Sequence, residues 1–146
     1  MLTFLKKGMS AEKLSLTLAL GICFGIMPFM GVTTYLLIPI ALVLRLNIPA
    51  IQLVNYAVYF VQIVLFVPFL KIGQFLFHGP QLPFELTNIV SKFKNEFWNT
   101  LGAIWEVNLL GIVVWIIVSI PLAFLIYRLS LPFFARQQQK LELELA

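Results

Sequence analysis

The chain has 146 residues, of which 61% are hydrophobic and only 11% charged, with a mean hydropathy of +0.98. A water-soluble domain of this length cannot bury that much apolar surface, so the composition excludes a soluble globular protein and makes lipid the solvent. The net charge of +4 comes from cations at the ends of apolar segments, where membrane-orienting charges sit, and not from a patch suited to nucleic acid.

Residues 1–13, with Lys6, Lys7, Glu12 and Lys13, read as a short basic amphipathic lead at the membrane surface. The apolar run behind it is too long for a signal peptide, and no small-x-small cleavage site follows, so the lead is expected to be retained. From Leu14 to Leu44 there is no charge. As one straight helix this run would measure about 46 Å against a hydrocarbon core of about 30 Å.

Pro28 stands near the middle of the run, between Gly25 and Gly31, and leaves two halves of ~14 residues that each reach only ~20 Å. Proline removes a backbone donor and glycine permits positive φ, so a reversal costs little here. The spacing predicts a re-entrant or proline-broken helical hairpin whose turn includes Gly25, Pro28, Gly31, Thr33 and Thr34. The two threonine hydroxyls are expected to satisfy backbone groups freed by Pro28. The alternative is a phosphate or other anion site on the N–H groups at 31–33.

The segment "LRLNIPA", 44–50, ends the hairpin, with a break near Ile48 because a residue before proline avoids helix. Residues 50–70 are long enough to span once. Within them Gln52, Asn55, Tyr59 and Gln62 share one helical face, and Tyr56 widens it. Amides facing hydrocarbon would each cost a few kcal/mol, so this stripe must face protein or water. It is either interhelical packing or the lining of a pocket for a lipid headgroup. The hairpin is its expected partner, because Gly21 and Gly25 form a GxxxG step that lets another backbone approach. Arg45, Asn47 and Lys71 are candidate headgroup contacts, and most such cations snorkel.

Residues 79–106 suggest an amphipathic helix at the interface, with Phe84, Ile89, Phe93 and Phe97 opposed to Glu85, Lys92, Lys94 and Glu96. Residues 107–127 form the clearest transmembrane helix, and 128–146 a cytoplasmic tail whose end, "RQQQKLELELA", is polar or amphipathic. A hairpin puts Lys6, Lys7, Lys13, Arg45, Arg128, Arg136 and Lys140 inside and Lys71, Lys92 and Lys94 outside, seven cations against three. A single kinked crossing would give six against four, so the positive-inside rule favours the hairpin. The fold class is therefore an all-α integral membrane protein with a broken hairpin, about two full transmembrane helices and an interfacial helix. It forms a single membrane domain, with a core at 8–78, a linker at 79–106, a span at 107–127 and a tail at 128–146.

The chain contains no aspartate, and its six glutamates all lie outside the apolar runs. His78 is the only histidine and Cys23 the only cysteine, which excludes an internal disulfide and leaves no metal-ligand cluster. No serine stands in a nucleophile motif. Neither an enzyme nor a cofactor or metal site is expected.

The ordered features "GMSAEKLSLTLALGICFGIMPFMGVTTY", "LRLN", the region of Asn55, and Gly73 resemble the domain of unknown function 2062 family of small bacterial membrane proteins. The resemblance rests on Gly8, Ala19, Gly21, Gly25, Pro28, Gly31, Arg45, Asn47, Asn55 and Gly73 and covers residues 8–73. Many members carry a proline soon after the asparagine, whereas here none occurs until Pro68. The family brings no settled activity. Some members look like extensions of glycosyltransferase-type proteins, which implies the cell envelope and lipid-linked sugars.

Two functions follow as expectations. In the first, a multi-pass protein of the bacterial inner membrane, with both termini cytoplasmic, assists transport or handling of a lipid or lipid-linked envelope precursor at the broken helix. Two crossings cannot enclose a pathway, so it would work with membrane lipids as a homo-oligomer or with a partner membrane protein. In the second it is a non-catalytic scaffold that docks an envelope-synthesis enzyme such as a glycosyltransferase. No nucleic-acid partner is expected, and no acidic ring suggests an ion channel.

Overall fold

A computed structural model of the chain describes residues 9–29, 31–79 and 86–145. The described residues form helices and turns, in the order α1 (Ala11–Gly25), α2 (Thr33–Val43), α3 (Ile48–Ala57), α4 (Tyr59–Phe77), α5 (Leu86–Asn95) and α6 (Phe97–Leu145). Lys6 and Lys7 of the basic lead, and Phe84 and Glu85 of the expected amphipathic face, lie outside the described residues, as do the side chains of Ile89 and Phe93.

Two helices, Tyr59–Phe77 and the long α6, are long and apolar enough to cross a membrane. Only 22% and 17% of their most apolar windows are buried within the chain. Helices so apolar and so little covered by protein are suited to a lipid surrounding, in line with the composition.

Helix α1 starts at Ser10, whose side chain accepts from the Lys13 N–H, and runs antiparallel to α6. Ala11 lies opposite Gln138 at one end, and Cys23 opposite Ser119 at the other. Gln138 ties that first end together, because its Oε1 accepts from the Ala11 N–H at 3.0 Å and its Nε2 donates to the Met9 carbonyl. A Gln138→Leu variant should lose about 1–2 kcal/mol, read as a lower unfolding midpoint in detergent. An unchanged midpoint would mean that the clamp contributes nothing.

Past Gly25 the chain turns back. Leu37 and Ala41 of α2 pack with Leu16 and Leu20 of α1, and Asn47 lines one pocket with Met9 and Leu14. Helix α2 ends with Arg45 in the left-handed region, φ 52°. The Leu46 N–H bonds Ala41 O and the Arg45 N–H bonds Leu42 O, the paired closure of a Schellman turn. Asn47 then caps α3 by accepting from the Ala50 N–H at 3.1 Å, with Pro49 in the first turn.

Helix α3 returns parallel to α1. A Cβ on Gly21 would come within 2.7 Å of Val54, and one on Gly25 would overlap Val58 and meet the Asn55 carbonyl at 3.0 Å. The GxxxG step thus serves close helix approach, as its spacing predicts. Farther on, α4 packs against α6, where a Cβ on Gly73 would lie 2.8 Å from the Leu110 backbone. The core at this join is Ile26, Met27, Phe69, Val114 and Trp115.

Three boundaries differ from the sequence reading. The expected span 50–70 is divided at Val58, φ −93° and ψ 7°, and the apolar helix runs from Tyr59 to Phe77. The division falls where Val58 presses on Gly25, a contact with no local signature. The expected interfacial helix stops at Asn95, and α6 already starts at Phe97. Helix α6 then continues unbroken through Arg128 into the polar tail. Its 49 residues make a rod of about 74 Å; the Gln, Lys, Leu and Glu of the tail are strong helix formers, and Gln138 docks it on α1.

Candidate functional site

The candidate site is the turn between α1 and α2 with the face of α3 that covers it. Pro28 has no N–H to give to the carbonyl of Phe24, which is taken instead by the Met27 N–H at 3.2 Å. That exchange leaves the Cys23 carbonyl without its helical donor, and the indole Nε1 of Trp115 donates to it at 2.7 Å. The Met27 carbonyl, exposed by the unwinding, receives the Phe29 N–H and the Gln62 Nε2, both at 2.7 Å. Gln62 is only 2% exposed, so its amide is committed to the turn. Gly31, φ +83°, supplies the left-handed step that starts the return.

Behind the turn Thr33 and Thr34 face α3. Asn55 Nδ2 reaches Thr33 Oγ1 at a long 3.5 Å, Gln52 Nε2 donates to the Thr34 carbonyl at 3.3 Å, and the Thr34 and Tyr56 hydroxyls are hydrogen-bonded to each other at 3.1 Å. The threonine hydroxyls therefore bind side chains of α3. The backbone groups freed around Pro28 are satisfied by Gln62 and Trp115, not by Thr33 and Thr34 as expected. Gln52 Oε1 and Asn55 Oδ1 are buried with no hydrogen-bond partner. A Cβ on Gly25 would lie 3.3 Å from Asn55 Oδ1, so that oxygen looks onto the bare backbone of α1.

Of the predicted stripe, Gln52, Asn55 and Gln62 meet the turn. Tyr59 does not: it is 42% exposed and lies directly past the break at Val58. Tyr56 takes its place beside Thr34. Arg45 and Lys71 are exposed. The Asn47 side chain is used as the cap of α3. Sequence reasoning missed Trp115 as a donor, and no local signal marks it. Among the described residues no three His, Cys, Asp or Glu side chains come together.

A family model described as "uncharacterized protein conserved in bacteria", DUF2062, matches residues 1–142. The chain belongs to the DUF2062 family. The match extends well past residue 73, where the ordered motif ends, and takes in most of α6. No curated protein and no solved structure matches the chain. In this DUF2062 protein most of the motif positions have concrete structural duties, while Gly8 lies outside the described residues. Gly21, Gly25 and Gly73 permit close helix approach. Pro28 and Gly31 form the turn, Arg45 takes the left-handed closure of α2 and Asn47 caps α3. Asn55 is the exception, since one of its two amide atoms is left without a partner.

Proposed function

We propose that this DUF2062 protein is a multi-pass protein of the bacterial inner membrane whose broken hairpin re-enters the bilayer. There it binds a lipid headgroup at the turn and assists the handling of a lipid or lipid-linked envelope precursor. The observation that carries the reading is the pair of buried, unpartnered amide oxygens on Gln52 and Asn55. An amide oxygen in an apolar medium without a donor costs about 1–3 kcal/mol, and two of them beside an unwound helix favour a site completed by a ligand. Both atoms are acceptors, so the matching headgroup presents hydroxyl or ammonium donors. A chain with two full crossings works here as a homo-oligomer or beside a partner membrane protein.

The scaffold reading, in which the chain docks an envelope-synthesis enzyme, draws support from the uncovered apolar side chains of α4. Phe60, Val64 and Phe75 are 80%, 71% and 83% exposed.

Topology comes first. In a Cys23→Ser background, single cysteines at Ser10 and Leu44 should both label from the cytoplasmic side, and labelling from opposite sides would sink the hairpin. The headgroup reading is then tested in vesicles of phosphatidylethanolamine and phosphatidylglycerol that carry a fluorescent phosphatidylethanolamine. The wild-type chain should speed its transfer between leaflets, and Gln52→Leu or Asn55→Leu should slow that transfer about tenfold, roughly the effect of one lost hydrogen bond. Transfer no faster than in protein-free vesicles would rule out transport and leave the scaffold.

A further inference from the structure

A second site lies at the opposite end of α1. A pocket of about 280 Å³ opens between α1, α3 and α6, walled by Leu14, Leu18, Leu53, Val54 and Phe134 and lined also by Met9 and Asn47. Thr17 lines it, 3% exposed, and its hydroxyl has no hydrogen-bond partner. A threonine inside a helix can give its proton to the carbonyl one turn back, but this one does not. The hydroxyl of Ser15 shows the ordinary arrangement, donating to Ala11 O at 2.8 Å.

Two cations neighbour the lining residues: Lys13 precedes Leu14 on α1, one helical turn before Thr17, and Arg45 stands two residues before Asn47. Arg45 is exposed. Thr17 lies one helical turn, about 6 Å, deeper than Lys13. The order along α1 is thus a cation, then an unpaired hydroxyl donor, then an apolar wall.

We infer that this pocket holds one acyl chain of an anionic diacyl phospholipid. The phosphate lies at the Lys13 and Arg45 rim, the ester carbonyl accepts from the Thr17 hydroxyl, and the chain runs along Leu18, Leu53 and Val54. The order of functional groups in such a lipid, phosphate, ester and hydrocarbon, matches the order of the side chains, and the rim charge selects an anion. The site is separate from the turn and does not depend on the headgroup reading there.

The test uses the purified full-length chain in detergent, titrated with dioleoylphosphatidylglycerol or dioleoylphosphatidylcholine and weighed by native mass spectrometry. One phosphatidylglycerol per chain should be retained in preference to phosphatidylcholine. Thr17→Val keeps the shape and removes the donor, and should weaken retention about three- to tenfold. Ala50→Trp fills the pocket and should abolish it. Lys13→Gln combined with Arg45→Gln should bring the two lipids to parity. If Ala50→Trp does not fold, Thr17→Val and the charge pair still decide. Equal retention of both lipids by the wild type, or phosphatidylglycerol retention unaltered in Thr17→Val, would overturn the proposal. So would a wild-type chain that retains no lipid and forms a dimer through Leu53→Cys cross-linking, which would make the pocket an interface between copies.

Discussion

Placing a side chain at Gly25 is expected to prevent folded protein from accumulating in the membrane. A Cβ there overlaps Val58, and the Asn55 carbonyl at 3.0 Å cannot move without shifting α3. Overpacking of this kind costs about 1–3 kcal/mol for the smallest side chain and more for a larger one. Gly25→Ala should therefore lower the unfolding midpoint in detergent, and Gly25→Leu should reduce the folded fraction in membranes to near zero. Adding Val58→Ala should recover part of the Gly25→Ala loss, because it withdraws the flexible half of the obstruction but not the Asn55 carbonyl. Full stability in Gly25→Leu would mean that α1 and α3 do not approach as described. Additive effects in the Gly25→Ala and Val58→Ala double mutant would exclude their direct contact.

The second large effect belongs to Trp115. Its ring is 8% exposed and meets Phe24 edge-on at 5.4 Å, and its Nε1 holds the Cys23 carbonyl. Trp115→Ala removes both the packing and the donor and should cost about 3–5 kcal/mol. Trp115→Phe keeps most of the ring and loses the hydrogen bond, which should cost about 1–2 kcal/mol. Thermal unfolding of the two variants in the same detergent separates the contributions. Equal losses would assign the whole effect to the hydrogen bond. No loss in either would mean that α1 is not held to α6 through its unwound end.

The two variants also bear on the turn. Gln62→Leu resembles Trp115→Phe, since each deprives one freed carbonyl of a side-chain donor. Gln52 and Asn55 differ from Gln62, because their amide nitrogens are engaged while their oxygens are not. Loss of abundance in Gln62→Leu, alongside normal abundance in Gln52→Leu, separates the residues that hold the turn from those that leave it unfinished.

Much of the turn after α1 was legible because its causes are local. Pro28 cannot continue a hydrogen-bond ladder, Gly31 admits positive φ, and Asn47 before Ile48 and Pro49 is a helix-start signal. The polar stripe was legible from its spacing, and three of its four members meet the turn. Tyr59, 42% exposed, lies directly past the break at Val58, which no neighbouring glycine or proline marks. The reach of α6 was hidden for a similar reason. The polar run from Arg136 reads as a tail, and nothing in it marks Gln138 as the residue that docks on the first turn of α1.

Composition and the length of the apolar runs by themselves pointed to an all-helical chain with helices able to cross a membrane, because a helix satisfies its backbone polar groups within one apolar segment. Family membership was legible too, since the motif residues act at single backbone positions. Which atoms meet at the turn was decided only by the tertiary structure. The Cys23 carbonyl and its donor on Trp115 are 92 residues apart, and the proline that frees that carbonyl carries no information about which distant side chain will satisfy it. The two oxygens left over, on Gln52 and Asn55, became visible only once every nearby donor had been assigned.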